Sequence, residues 1–138
     1  MMDALQLKLC DIQGRLFELS GEKRMPSVPF IRSFMTSEVA KALDSRYNRA
    51  QWMGEEYLLE DLKSLAGDSL SGSGEVFSKD VLYWTGYVYR FWHLHTGEDS
   101  ASILRQASPD RMKRNYPMFH TMDPSLAVEK LKELNGQG

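Results

Sequence analysis

Between Ser78 and Thr96 the chain sets Tyr83, Trp84, Tyr87, Tyr89, Phe91 and Trp92 within about three helical turns. So much aromatic surface demands cover, and the rest of the chain has to provide it. Ser78 is an N-cap residue with Asp80 in the first turn, and Gly97 stands where a left-handed residue would stop a helix, so the spacing predicts one helix over 78–96. At about 100° per residue, Val81, Trp84, Thr85, Val88, Phe91, Trp92 and His95 share one face. Tyr83, Tyr87 and Leu94 form a second apolar sector, and Leu82 and Tyr89 part of a third. A helix apolar almost all round is expected to be buried.

The earlier segments offer faces that could cover it. From Asp3 to Ser20, Leu5, Leu9, Ile12, Leu16 and Leu19 recur at helical spacing along a narrow stripe, and Gly21 is expected to end that helix. Packing of the stripe within its own domain is weighed above packing on a partner helix, because the pattern lasts only about two heptads. Ser27 is expected to cap a short helix carrying Phe30, Ile31, Phe34 and Met35 inward, and a second cap at Thr36 or Ser37 opens SEVAKALDS, with one bent helix and two separate ones both open. Arg46 to Ala66 reads as a helix with Tyr47, Leu58, Leu62 and Leu65 on one side and Trp52 and Leu59 on a neighbouring sector. Residues 68–75, DSLSGSGE, read as a flexible Gly/Ser loop.

Beyond the aromatic helix, Ser100 can cap ASILRQA, and Ser108, Pro109 and Asp110 open a helix that Pro117 is expected to close. Asp123 and Pro124 start a last helix that should bury Leu126, Ala127, Leu131 and Leu134. No strand pattern appears. The expectation is an all-α single domain over residues 1–138, a bundle of about six helices around the central aromatic one.

Charge and cysteine content narrow the functional classes. A formal charge of −2 gives no global field that would gather nucleic acid or anionic lipid, so nucleic-acid binding is not implied. The single Cys10 precludes an internal disulfide, and no leader-like segment opens the chain, which together fit a cytoplasmic protein that does not cross a membrane. Cys10 lies off the apolar stripe with no basic group beside it, so an inert thiol is favoured over a nucleophile.

Motifs for conventional catalysis are missing. There is no Gly-rich phosphate loop, no G-x-S-x-G and no CxxC, and His93 and His95, two residues apart, point to different faces instead of sharing a metal. No cofactor is expected. Arg90 and His95 make an Arg-x4-His spacing that resembles the motif of the HEPN family of helical ribonucleases, which would imply that these two residues act on an RNA phosphate without metal. Position 91 is Phe where that family usually has a polar residue, and on a regular helix Arg90 and His95 diverge by about 140°, so a buried, hydrogen-bonded His95 is favoured. The carboxylates Glu55, Glu56, Glu60 and Asp61 read as a solvated face in preference to a metal site, since no histidine stands at ligand spacing. His120 and Asp123 could approach one another, though local side-chain to backbone bonds explain both equally well.

Residues 99–116 read as two short helices joined tightly, with Arg105, Arg111, Lys113 and Arg114 close in sequence, which is the pattern of a helix-turn-helix. Asp110 at the start of the second helix argues against nucleic acid, and a protein-facing or solvated basic patch is favoured.

Four longer stretches carry a broader resemblance: FIRSFMTSEVAKALD, QWMGEEYLLEDL, DVLYWTGYVYRFWHLHTGEDS and RNYPMFHTMDPSLAVEKLKEL. They resemble a group of small bacterial proteins encoded in compact operons beside toxin-like genes, including ADP-ribosyltransferase-like ones. The resemblance implies a non-enzymatic partner protein, an antitoxin that neutralises its toxin by occupying it; separately, the stripe on the first helix leaves a homodimer as the alternative partner. The expected contact residues are Leu5, Leu9 and Leu16 on the first helix, with Glu55, Glu56, Arg111, Lys113 and Arg114 as a charged rim.

Overall fold

A computed structural model describes residues 2–45, 51, 53–70 and 72–136. Among them the chain is helical without a strand: α1 (Ala4–Glu22), α2 (Ser27–Met35), α3 (Glu38–Asp44), α4 (Glu55–Ala66), α5 (Lys79–Thr96), α6 (Ser100–Gln106), α7 (Pro109–Phe119) and α8 (Pro124–Gly136), with a 3-10 turn at Gly67–Leu70. These are eight α-helices where about six were expected, partly because Ser37 starts α3 as a separate helix by accepting from the Ala40 amide. The helix expected over Arg46 to Ala66 is corrected at its start: it begins at Glu55, because Gly54 is extended and stands as its N-cap, while Tyr47 and Trp52 lie outside the described residues.

Helix ends follow short-range chemistry where a side chain has no long-range duty. Asp3 caps α1 through a reciprocal pair with Gln6, Ser78 caps α5 onto the Val81 amide, and Ser108 caps α7 onto Arg111. Gly97 closes α5 at φ 82°, a left-handed conformation that most side chains resist. Two expected caps are elsewhere. Ser27 is the first residue of α2, and its hydroxyl instead accepts from the Phe77 amide at 2.8 Å while its own amide donates to Glu75. Asp99 caps α6 in place of Ser100, whose hydroxyl donates to Asp44 at 2.7 Å. The expected 68–75 link is therefore anchored at its far end, and Lys113 adds an ion pair to Glu75. Pro117 does not end α7, which runs two residues further to Phe119, because the one amide it lacks would have served the carbonyl of exposed Lys113, which water can reach.

Helix α5 lies along α1 and also meets α6, α7 and α8. Close approach of α1 and α5 depends on glycine. A Cβ on Gly86 would stand 2.5 Å from the Gln13 carbonyl oxygen, one on Gly14 would stand 2.8 Å from the Tyr83 ring, and one on Gly21 would stand 2.6 Å from a Leu82 methyl. Gly21 is thus a packing residue inside α1, not its terminator. Phe17 fills the space beside this crossing, edge-on to Phe30, Phe34 and Tyr89 with centroids 5.4 to 6.2 Å apart.

A buried polar chain crosses the same region. Gln13 of α1 donates to the Gly86 carbonyl at 3.0 Å and accepts from Arg90 Nε at 2.8 Å. Arg90, only 1 % exposed, then donates to Asp44 of α3 at 2.6 Å and to Ser100 of α6 at 3.3 Å, and Asp44 also accepts from the Ser100 amide at 2.9 Å. Burial lowers the pKa of Arg90 and Asp44 opposes the shift, but a guanidinium stays charged, so the carboxylate partner is required.

Elsewhere the cover is thinner than the apolar pattern suggests. Leu65 of α4 and Leu126 of α8 were expected inside and are exposed, while Leu58, Leu59, Leu62, Ala127 and Leu131 are buried; Leu65 shares the face of Leu58 but stands in the last turn of α4. Tyr83, Trp84, Tyr87 and Phe91 of α5 are only half-buried. Among the described residues no helix is long and apolar enough to cross a membrane.

Candidate functional site

The incompletely covered side of α5 is the floor of an open groove of about 890 Å³. Asp80, Tyr83, Trp84, Tyr87 and Val88 reach it because their spacing puts them on one face of α5. Asp11, Arg15, Glu18 and Glu22 of α1 form one wall by the same periodicity. Tyr116 and His120, with Met122 and Pro124 after α7, form the other, and Glu55 and Glu56 from the first turn of α4 complete the rim.

The aromatic groups make two ordered sets. Trp84 meets Tyr116 edge-on at 5.6 Å, and Tyr116 stacks on His120 at 4.4 Å. The His120 Nδ1 donates to the Tyr116 carbonyl at 2.8 Å, which leaves Nε2 for a partner. Tyr83 and Tyr87 lie 6.0 Å apart, and the Tyr83 hydroxyl donates to the Asp11 carboxylate. Burial raises the pKa of both phenols, and at Tyr83 the Asp11 bond and charge raise it further, so both remain neutral at physiological pH.

The negative charge of the groove therefore belongs to its carboxylates. Six of them, Asp11, Glu18, Glu22, Glu55, Glu56 and Asp80, line it against one guanidinium, that of Arg15. Asp11 is engaged by Arg15 at 2.9 Å, and Glu18 meets Lys79 at 3.8 Å. Glu22, Glu55, Glu56 and Asp80 enter no ion pair among the described residues. Glu55, Glu56 and Asp80 sit in first helical turns, where the amide dipoles stabilise their charge. The groove is far more acidic than the chain, whose formal charge is −2. Neutral aromatic faces beside clustered carboxylates suit a cation, which gains from the ring quadrupole and from Coulomb attraction together.

A second cavity of about 590 Å³ adjoins the first, with Tyr87 and Pro124 lining both. Phe91, Leu94 and His95 of α5 line it with Met2, Gln6 and Leu7 from the start of the chain and with Asp123 and Ser125. Asp123 accepts from the Ser125 amide and hydroxyl, and does not pair with His120.

The expected site residues are dispersed. Arg90 lines neither cavity, being spent on Gln13, Asp44 and Ser100, whereas His95 is exposed with its ring 5.6 Å from Phe91. The expectation of a buried, hydrogen-bonded His95 is corrected: one residue from the end of α5 it is exposed, and among the described residues it makes no hydrogen bond. Leu9 and Leu16, expected in a contact stripe, are buried under the chain's own helices, and of that trio only Leu5 is exposed. Glu55 and Glu56 stand at the groove rim. Arg111 donates to the Gln106 carbonyl at 3.1 Å, Lys113 pairs with Glu75 and lies over the Phe77 ring, and Arg114 is exposed. Cys10 is fully buried, which pushes its thiol up to about 12. Among the described residues no group of three or more His, Cys, Asp or Glu could hold a metal ion.

The groove itself escaped the sequence reading because its walls come from α1 and α7, about a hundred residues apart. Its signals were present separately, as the Asp11, Glu18, Glu22 periodicity and the Tyr83, Tyr87 sector. Comparison with family models, with curated proteins and with solved structures finds no match.

Proposed function

We propose that this chain is a non-enzymatic interaction module that receives a lysine- or arginine-rich segment of a protein partner in the groove between α1, α5 and α7. The observation that carries the reading is the placement of six carboxylates around Tyr83, Trp84, Tyr87 and Tyr116. A basic side chain laid over such rings gains about 0.5 to 2 kcal/mol, and each rim carboxylate adds about 0.2 to 1 kcal/mol. Several such contacts, less the cost of ordering the segment, correspond to affinity on the order of micromolar. The resemblance to proteins of toxin-linked operons supplies a setting: the partner is a toxin of the bacterial cytoplasm, neutralised by occupation of a basic surface. Rim charges would accelerate that encounter and make it salt-sensitive.

Calorimetric titration with a lysine- and arginine-rich peptide and with a glutamate-rich control tests this. The basic peptide is expected to bind, and Glu22→Gln/Glu55→Gln/Glu56→Gln to weaken it roughly tenfold without changing the fold. Equal binding of both peptides, or of the triple variant, would remove the reading. Size-exclusion chromatography with the neighbouring gene's product then tests the toxin assignment.

A further inference from the structure

We infer that the bound segment carries an apolar anchor beside its basic residues, and that the second cavity, walled by Leu7, Phe91 and Leu94, holds it. The inference rests on the groove reading above and specifies which basic segments the groove accepts. Three observations carry it. The two cavities are neighbours, with Tyr87 and Pro124 lining both, so a segment seated in the first lies beside the second. Carboxylates thin out from one cavity to the next: six line the groove, while the second cavity has one, Asp123, which accepts from Ser125 through a single oxygen. The second cavity also keeps apolar side chains in water, with Leu7 43 % exposed and Phe91 and Leu94 half-buried. A segment basic throughout would find there only Asp123 for its charges, whereas an apolar side chain would cover the exposed surface of Leu7, Phe91 and Leu94.

Helical geometry sets the spacing. Trp84 and Phe91 are two helical turns apart on α5, a rise of roughly 10 Å, which an extended peptide covers in about three residues. The anchor therefore stands three or four residues from the basic centre of the segment.

Fluorescence anisotropy with three labelled peptides reads this directly: a basic core alone, the core with leucine three or four residues away on either side, and the core with leucine about ten residues away. The near leucine should tighten binding roughly tenfold or more and the distant one should not. Leu94→Ser and Leu7→Ser, each checked for an unchanged melting temperature, should erase the gain while leaving affinity for the bare core unchanged. Leu7 is exposed, so its variant remains informative if Leu94→Ser fails to fold. A bare core that binds with no gain from the near leucine overturns the anchor and leaves the groove reading standing. Absence of binding by every peptide overturns both. A dimer that Leu7→Ser dissociates would assign the cavity to a second copy of the chain and also overturn the anchor.

Discussion

Arg90 of α5 donates to Asp44 of α3 across 2.6 Å from a position only 1 % exposed, so the guanidinium depends on that carboxylate for its charge partner. Breaking such a pair from one side leaves a buried charge uncompensated, which costs about 3 to 5 kcal/mol. Asp44→Ala should lower the urea midpoint accordingly. Replacing both residues by apolar ones of similar volume, Asp44→Leu with Arg90→Met, should cost less than Asp44→Ala alone. A single-variant loss below about 1 kcal/mol would show that Arg90 finds other acceptors.

The α1–α5 crossing makes an equally specific expectation. Alanine is the better helix former by about 1 kcal/mol, yet a Cβ on Gly86 would stand 2.5 Å from the Gln13 carbonyl oxygen, and that backbone cannot yield without moving α1. Gly86→Ala should therefore destabilise by about 1 to 3 kcal/mol. Gly21→Ala should cost less, since the obstructing atom is a Leu82 methyl that can turn. Thermal unfolding of the two variants side by side gives the order, and a stabilised Gly86→Ala would refute the close approach.

Which parts of this structure were readable in advance follows from the range of the interactions. The caps at Ser78, Ser37 and Ser108 and the left-handed Gly97 are settled within a few residues, and each stands where its local chemistry puts it. Ser27 and Ser100 have the same local credentials but are taken by Phe77 and Asp44, partners fifty or more residues away. Gly14 and Gly86 are silent in a single sequence, because nothing nearby says that another helix will press on them. The aromatic sector of Tyr83 and Tyr87 was legible as apolar, but whether a neighbour would cover it depended on where α7 and α1 came to rest, and they leave it open.

Glu98 links the end of α5 to α6 and α8, and it makes the fold acid-sensitive. Burial pushes its carboxyl up, but hydrogen bonds from Lys132, Gln106 and the Trp92 indole outweigh that and hold it at about 2, against an ordinary 4.5. The folded value is depressed, so its contribution is complete above about pH 4.5 and is lost as pH falls through about 2. Glu98→Gln should be less stable than the parent at pH 7, and the gap should narrow as pH drops from 4.5 toward 2. Denaturant midpoints across that window check it; a gap independent of pH would place the stabilisation elsewhere.

The groove between α1, α5 and α7 as a receptor for basic segments is tested most directly by mapping where such a segment lands. Amide and aromatic chemical shifts of the isotope-labelled protein, followed during titration with a lysine- and arginine-rich peptide, should move at Glu18, Glu55, Tyr83, Trp84, Tyr87 and Tyr116, and the shifts should fade as salt is raised past about 0.15 M. Signals of the buried Arg90, Asp44 and Ser100 cluster should stay in place. Shifts confined to the α6–α7 surface around Arg114, or none at all at saturating peptide, would contradict the account.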